Sequence, residues 1–66
     1  MKIRVNGEIQ LIEGPISLDR FLDGLKIRKE AIACELNRSI VQKARYSEIY
    51  LNENDTLEIV HFVGGG

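Results

Sequence analysis

Short apolar stretches separated by turn-forming residues dominate the pattern along this chain. Apolar and polar residues alternate within 2–13, 32–36 and 56–63, which is the period of half-buried β-strands. Ile40-Val41 gives one further, very short strand. Between the second and third strands, apolar residues recur at the spacing of an amphipathic helix of two to three turns: Leu18, Phe21, Leu22 and Leu25. The pattern predicts the order ββαβ(β)β, with the helix packed on one face of a sheet.

The first two predicted strands meet at Asn6-Gly7, a strong hairpin signal. A two-residue turn at this point would place the apolar side chains of the two strands on opposite faces. A three-residue loop with Gly7 in the left-handed region instead pairs Ile3 with Ile9 and keeps the apolar side chains together. We therefore predict the three-residue loop, and we expect Asn6-Gly7 to act only as a turn.

Ser17 is well suited to cap the helix, and Asp19 lies favourably in its first turn. Gly24 weakens a helix interior, so we expect the helix to end within 24–27. The charged run 26–30 is then predicted to be a solvated connection.

No clear period covers 43–51, which predicts an irregular connection with a helical turn. We expect some of its four large side chains to anchor it: Tyr46, Ile49, Tyr50 and Leu51. The cluster 52–55 is predicted to be a turn before the last strand.

Composition limits the classes of function. With 66 residues, 44% hydrophobic and 29% charged, the chain has the make-up of one small globular domain. We assign 1–63 to that domain and 64–66 to a flexible glycine tail. We expect the protein to be a monomer when no partner is bound. The net charge of −1, with scattered Lys and Arg, favours neither nucleic acid nor a membrane as partner. The absence of a secretory segment predicts a cytoplasmic protein.

Cys34 and His61 are the only residues of their types, so neither an internal disulfide nor a metal cluster built on them is expected, and we predict no metal site. Cys34 alternates with apolar neighbours and is expected to pack in the core as a small hydrophobic residue. His61 falls in register with the core-side residues of the last strand, which predicts a partly buried histidine.

The last three residues of the sequence, Gly64, Gly65 and Gly66, directly follow an apolar strand pattern. Glycines there would make a thin, mobile tail whose reactive group is the α-carboxylate of Gly66. A carboxylate is a poor electrophile, but adenylation turns it into an acyl donor, and a narrow nucleotide site admits glycine where a Cβ would clash. The sequence predicts that the chemistry occurs at Gly66, and that no side chain carries it.

Val60 and Phe62 alternate with the residues expected to face the helix, so they should point away from it. With Val5 or Val41 they would form an exposed apolar patch beside the tail, as partner interfaces often do. We therefore predict partner binding at these four residues. The alternative is a minor second cluster beneath 43–51.

Three segments of the chain carry a resemblance to a known family: Met1 to Gly7, Ala33 to Arg38 with Ile40-Val41, and Asp55 to Gly66. The sequence resembles the ThiS sulfur carriers of thiamine biosynthesis over its whole length. One departure is Asn54, where many relatives have glycine, and asparagine tolerates the left-handed backbone better than most residues. The resemblance implies an α+β, ubiquitin-like β-grasp fold with a mixed four- to five-stranded sheet and one main helix on one face.

For function, the resemblance implies a carrier and not an enzyme. A ThiF-like adenylyltransferase would consume ATP to adenylate Gly66, and the carrier itself would bind no cofactor. A cysteine desulfurase relay would then supply sulfur, and the resulting thiocarboxylate would donate it to a ThiG-like thiazole synthase. Three alternatives stay open: the small subunit of molybdopterin synthase, a ubiquitin-like modifier joined to lysines, and a passive interaction module.

Overall fold

A computed structural model describes residues 1–62 of the chain. Helix α1 spans Leu18–Gly24, and 3₁₀ turns span Lys29–Ala31 and Lys43–Arg45. The strands are β1 (Lys2–Val5), β2 (Glu8–Leu11), β3 (Ile16–Ser17), β4 (Ile32–Leu36), β5 (Ser39–Val41), β6 (Tyr50–Leu51) and β7 (Thr56–His61). Within 1–62 the predicted elements are all present, and β3 and β6 are additional. Neither was predicted, because two residues carry no readable period.

Five strands form one mixed sheet in the order β2-β1-β7-β4-β5. The last strand, β7, lies at the centre, parallel to β1 and antiparallel to β4. Parallel neighbours require a crossover connection, and α1 belongs to the stretch that makes it. The predicted β-grasp arrangement, a mixed sheet with one α-helix on one face, is confirmed for the described part of the chain.

The helix begins where predicted, because the Ser17 hydroxyl accepts a hydrogen bond from the Arg20 backbone N–H at 3.2 Å. It ends at Gly24, as expected. Leu18, Phe21 and Leu22 of its predicted apolar stripe pack into a single core, whereas Leu25, just past the helix, is 39% exposed. The buried apolar residues of that core are Ile3, Val5, Leu18, Phe21, Leu22, Ile32, Cys34, Tyr46, Leu51, Leu57 and Ile59.

The hairpin turn differs from the prediction. Val5 pairs directly with Glu8, which leaves a two-residue loop of Asn6 and Gly7. Both loop residues have positive φ, 49° and 85°, as a type I′ turn requires. The twist of this turn matches the twist of the strands, and Asn-Gly is the sequence that adopts it most readily. The backbone preference of Asn6-Gly7 therefore determined how β1 pairs with β2, and the pattern of apolar residues did not.

This register places Ile9 and Leu11 on the face of the sheet opposite the helix, with 53% and 80% of their surface exposed. Strand β2 is an edge strand, and α1 covers the other face. The prediction that the hairpin keeps its apolar side chains together was therefore wrong.

The connection between β5 and β7 is irregular apart from its 3₁₀ turn and β6, as predicted. Tyr46 and Leu51 are buried and anchor it, whereas Tyr50 is exposed. Strand β6 also pairs with β3 in a separate two-stranded sheet, which fixes the connection beside the start of the helix.

The charged run after the helix is not simply solvated. The Lys29 ammonium lies 2.5 Å from a carboxylate oxygen of Asp19 and 2.9 Å from one of Asp23, so it bridges two turns of α1. Hydrogen bonds to Asp19, which has the larger effect, and to Asp23 raise the pKa of Lys29 above its usual value. Because the pKa of Lys29 is higher in the folded protein than in the unfolded chain, its ion pairs contribute fully to stability below the pKa of the unfolded chain. That contribution is lost as pH rises through the pKa of the folded protein.

Cys34 is buried, as predicted, and its thiol lies beside the Tyr46 hydroxyl. Burial raises the pKa of the Cys34 thiol, and the neighbouring Tyr46 hydroxyl and Lys43 charge offset part of this effect. Burial, followed by the contact with Cys34, raises the pKa of Tyr46 to about 12. The Tyr46 hydroxyl makes no hydrogen bond of normal geometry within residues 1–62. It is a buried polar group without a well-formed partner.

Tyr46→Phe is expected to leave the free energy of unfolding unchanged or to raise it by up to about 1 kcal/mol, because it removes this hydroxyl. The folded protein also keeps the Tyr46 proton at pH values where the unfolded chain has lost it, so stability falls as pH rises from about 10 to about 12. Tyr46→Phe should make that fall less steep in urea unfolding. Tyr50→Phe, at an exposed tyrosine, is the control, and an unchanged alkaline slope in Tyr46→Phe would contradict the assignment.

Candidate functional site

The face of the five-stranded sheet opposite α1, here called the outer face, has no helix over it within residues 1–62. Strand alternation and register place on it Lys2, Arg4, Ile9, Leu11, Ala33, Glu35, Ile40, Glu58 and Val60. Ile9, Leu11, Ile40 and Val60 are each more than half exposed. The outer face is thus an open, partly apolar surface.

Val60 and Phe62 are exposed, at 56% and 59%, so the prediction that they point away from the core is confirmed. Their expected neighbours in the patch are not exposed with them. Val5 is buried at 6%, and Val41 is partly buried against the core. Both lie on the helix side of the sheet, because Val5 is in register with Leu57 and Val41 with Cys34. The preceding residue in β5, Ile40, lies on the outer face and is 75% exposed.

Phe62 is the last residue that the structure describes. Its backbone N–H donates to the Ala31 carbonyl at 2.8 Å, which continues the pairing of β7 past His61. The Lys43 ammonium lies 5.5 Å from the centre of the Phe62 ring, within cation–π distance. The ring is therefore held at the end of the central strand while more than half of it stays accessible.

Glu35 and Glu58 lie directly opposite each other on the outer face, in adjacent strands. Both are exposed, and neither forms an ion pair within residues 1–62. Like charges in opposed positions destabilise a sheet. This pair gives the middle of the outer face a negative charge, close to Val60 in β7.

The tail lies beyond the described structure. Val63 and the predicted site residues Gly64, Gly65 and Gly66 are outside residues 1–62, so the predicted domain boundary and the predicted reactive end stay predictions. Three extended glycines reach about 10 Å at most. Anything that binds Gly66 must therefore come close to the end of β7, where Phe62 and Val60 are exposed.

His61 is exposed, so the prediction of a partly buried histidine was wrong. It pairs with Ile32 at the start of β4, at the end of the sheet. Within residues 1–62, no three His, Cys, Asp or Glu side chains are grouped closely enough to hold a metal ion. None of the helices in this part of the chain has the length and apolar character needed to cross a membrane.

Three asparagines in turns have positive φ: Asn6, Asn37 and Asn54. The sequence analysis did not predict the roles of the Asn6 and Asn37 side chains. Asn54, at 69°, adopts the left-handed backbone expected at this position, and its N–H donates to the Lys2 carbonyl at 2.7 Å. The side chains of Asn6 and Asn37 bond directly to the backbone of β7. An asparagine in a turn was the signal that the sequence offered for such a bond. The sequence does not show the bonded strand, because that strand is more than ten residues away in both cases.

A mixed sheet around one helix, whose central last strand leads into a glycine segment, defines a ubiquitin-like β-grasp domain of the carrier type. The sequence model of the ThiS family matches residues 3–66. The chain is 38% identical to the sulfur carrier protein ThiS of Bacillus subtilis over 50 residues, which is 76% of each protein. This protein belongs to the ThiS family.

A solved structure supports the same relationship. The crystal structure of the thiamine biosynthesis protein ThiS from Geobacter metallireducens matches with a TM-score of 0.87 and 26% identity over the whole of both chains. The chain is also 41% identical, over its full length, to a thiazole synthase of Magnetococcus marinus. It spans only 20% of the length of that relative.

Cys34→Ala is expected to lower the free energy of unfolding by about 1 kcal/mol through lost packing, and to leave sulfur transfer unaffected. With the thiol 1% exposed and its pKa raised, the native protein should react with a thiol reagent only as fast as it unfolds. Chemical denaturation and a reconstituted transfer assay measure the two effects. A covalent intermediate trapped on Cys34 would contradict this prediction.

Proposed function

We propose that this protein is a sulfur carrier of thiamine biosynthesis, a substrate of other enzymes and not itself an enzyme. The observation that carries the proposal is the family match, which runs from residue 3 through the three glycines to residue 66. A β-grasp domain whose central strand leads toward those glycines agrees with it. The cytoplasmic location expected from the sequence stays a prediction.

Gly66 is the proposed site of chemistry. A ThiF-like adenylyltransferase binds ATP, a carboxylate oxygen of Gly66 attacks the α-phosphate, and pyrophosphate leaves. A persulfide supplied by a cysteine desulfurase relay then attacks the acyl carbon of the adenylate and displaces AMP. A second thiol cleaves the S–S bond of the resulting acyl disulfide, which releases the thiocarboxylate and leaves a disulfide between the two thiols. The sulfur atom of a thiocarboxylate is a far stronger nucleophile than an oxygen atom of a carboxylate. The carrier itself contributes the acyl end and the surface that presents it.

A ThiG-like thiazole synthase is the proposed acceptor of the sulfur. Relatives named thiazole synthase, from Magnetococcus marinus and Paramagnetospirillum magneticum, contain a segment 41% and 36% identical to this whole chain. That segment is a fifth of each protein. A carrier-like segment within a thiazole synthase supports the view that the separate chain works with such an enzyme.

The outer face around Val60, together with the adjoining Phe62 just past the end of β7, is the proposed docking surface for the activating enzyme. Both are exposed apolar residues next to the segment that the enzyme must take up. The opposed Glu35 and Glu58 favour a partner surface that carries a cation beside its apolar contacts.

The fate of the adenylate distinguishes this proposal from its rivals. Attack by sulfur gives a carrier, whereas attack by a lysine amine gives a protein modifier. The family match favours thiamine biosynthesis over molybdopterin synthesis. A passive interaction module would not need the glycines at all.

Deleting Gly66, or extending the chain beyond it, is expected to abolish adenylation and leave the fold intact. The carboxylate would be missing or displaced, while the buried core residues that the structure describes lie between Ile3 and Ile59. ATP–pyrophosphate exchange measures the first effect and thermal unfolding the second. Intact-mass analysis of protein from its native cells should show replacement of one oxygen by sulfur at Gly66. Normal exchange with the extended protein would contradict the proposal.

Phe62→Ala is expected to weaken binding to the activating enzyme roughly thirtyfold or more, because a central aromatic commonly contributes about 2 kcal/mol to an interface. Folding stability should change little, since 59% of the Phe62 surface is already exposed. Titration calorimetry and urea unfolding measure the two effects. Tyr50→Ala is the matched control, an aromatic with 54% exposure in the separate two-stranded sheet, and it should leave affinity unchanged. Unchanged affinity in Phe62→Ala would move the interface away from this face.

A further inference from the structure

The central strand loses one of its neighbours partway along. β1 ends at Val5, and its parallel pairing with β7 covers only Thr56 and Leu57. The chain then turns into β2, while β7 continues to His61. Strand β4 pairs with the other side of β7 as far as His61. On the β1 side, no strand within residues 1–62 follows β7 beyond Leu57.

The side chain of Asn6 takes the place of the missing strand. The Ile59 N–H donates to Asn6 Oδ1 at 2.7 Å, and Asn6 Nδ2 donates to the Ile59 carbonyl at 3.2 Å. These bonds directly follow a backbone bond from the Asn6 N–H to the Leu57 carbonyl at 2.9 Å. One side-chain amide therefore supplies the donor and the acceptor that a further peptide unit of β1 would have supplied.

We propose that Asn6 is a positioning residue for acyl transfer at the glycine end of the chain. By holding the Ile59 peptide, it fixes the direction in which the chain leaves the sheet at Phe62, three residues later. A segment already held in extended form loses less conformational freedom when a partner enzyme takes up the residues that follow. This inference rests on the proposed function for the identity of the reaction.

The chain contains a matched control for this residue. Asn37 also lies in a turn with positive φ, 51° against 49° for Asn6. Its Oδ1 accepts from the Thr56 N–H at 2.9 Å, so it too binds the backbone of β7 through its side chain. Thr56 is the first residue of β7, at the end of the strand away from the glycines. The two asparagines differ in which part of β7 they hold, and in that Asn37 Nδ2 donates to the Asp55 carboxylate at 3.0 Å, whereas Asn6 Nδ2 donates to the Ile59 carbonyl.

Asn6→Gly and Asn37→Gly remove these side chains and keep a residue that accepts positive φ without strain. Both variants add the same flexibility to the unfolded chain, so their effects on folding can be compared directly. Amide hydrogen exchange resolved by residue is the first measurement. We expect faster exchange at Ile59 in Asn6→Gly, and at Thr56, with Ile59 unchanged, in Asn37→Gly.

Adenylation by a ThiF-like enzyme, with the carrier as the varied substrate, is the second measurement. For Asn6→Gly we expect KM to rise roughly tenfold, as two lost hydrogen bonds would allow. The kcat should not change, because the bound enzyme imposes the extended conformation and the ordering cost falls on association. For Asn37→Gly, KM should stay within about twofold of the native value. A merely structural role for Asn6 would raise KM in both variants in proportion to their loss of stability.

Unchanged exchange at Ile59 in Asn6→Gly, or equal rises in KM for the two variants, would overturn the inference. If the native protein is not adenylated at all, the proposed function fails, and hydrogen exchange alone still decides whether Asn6 holds the end of β7.

Discussion

One seven-residue helix can cover only one face of a five-stranded sheet, and most of this structure follows from that constraint. Apolar side chains on the face of the sheet that α1 covers are buried, Leu57 and Ile59 among them. Apolar side chains on the opposite face remain accessible, and Val60 does so although it belongs to the central strand. A small core and an open apolar face are therefore two consequences of the same geometry.

The central strand links the core to the site. β7 is buried on its helix side, pairs with β1 at Thr56 and Leu57 and with β4 from Leu57 to His61, and is followed by the glycine segment. Its position is fixed by packing at Leu57, by strand pairing with β4, and by side-chain amides at both ends. A rigid strand that leads into glycines suits a carrier, because the domain supplies a defined surface and the glycines fit a narrow active site.

Several features of the site could be predicted from local sequence. The alternation in 56–63 placed Val60 and Phe62 away from the core, and Ser17 with its apolar spacing placed the helix. The prediction failed at Val5 and Val41, since a single strand pattern shows which residues share a face but not which face the helix will cover. It failed at His61 as well, because alternation does not show where along a strand the covering layer ends.

The sequence by itself determined the helix, the strands of the five-stranded sheet, the turn at Asn6-Gly7 and the glycine segment, because these depend on residues close together in the chain. Only the tertiary structure decided which face of the sheet α1 covers, the pairing of Lys29 with Asp19 and Asp23, and the bonds from Asn6 to β7. In the hairpin, the positive φ values of one turn outweighed the clustering of apolar side chains, which had no helix to pack against. The contact from Asn6 to Ile59 joins residues 53 apart in sequence, and it exists only because β1 and β7 are neighbours in the folded sheet.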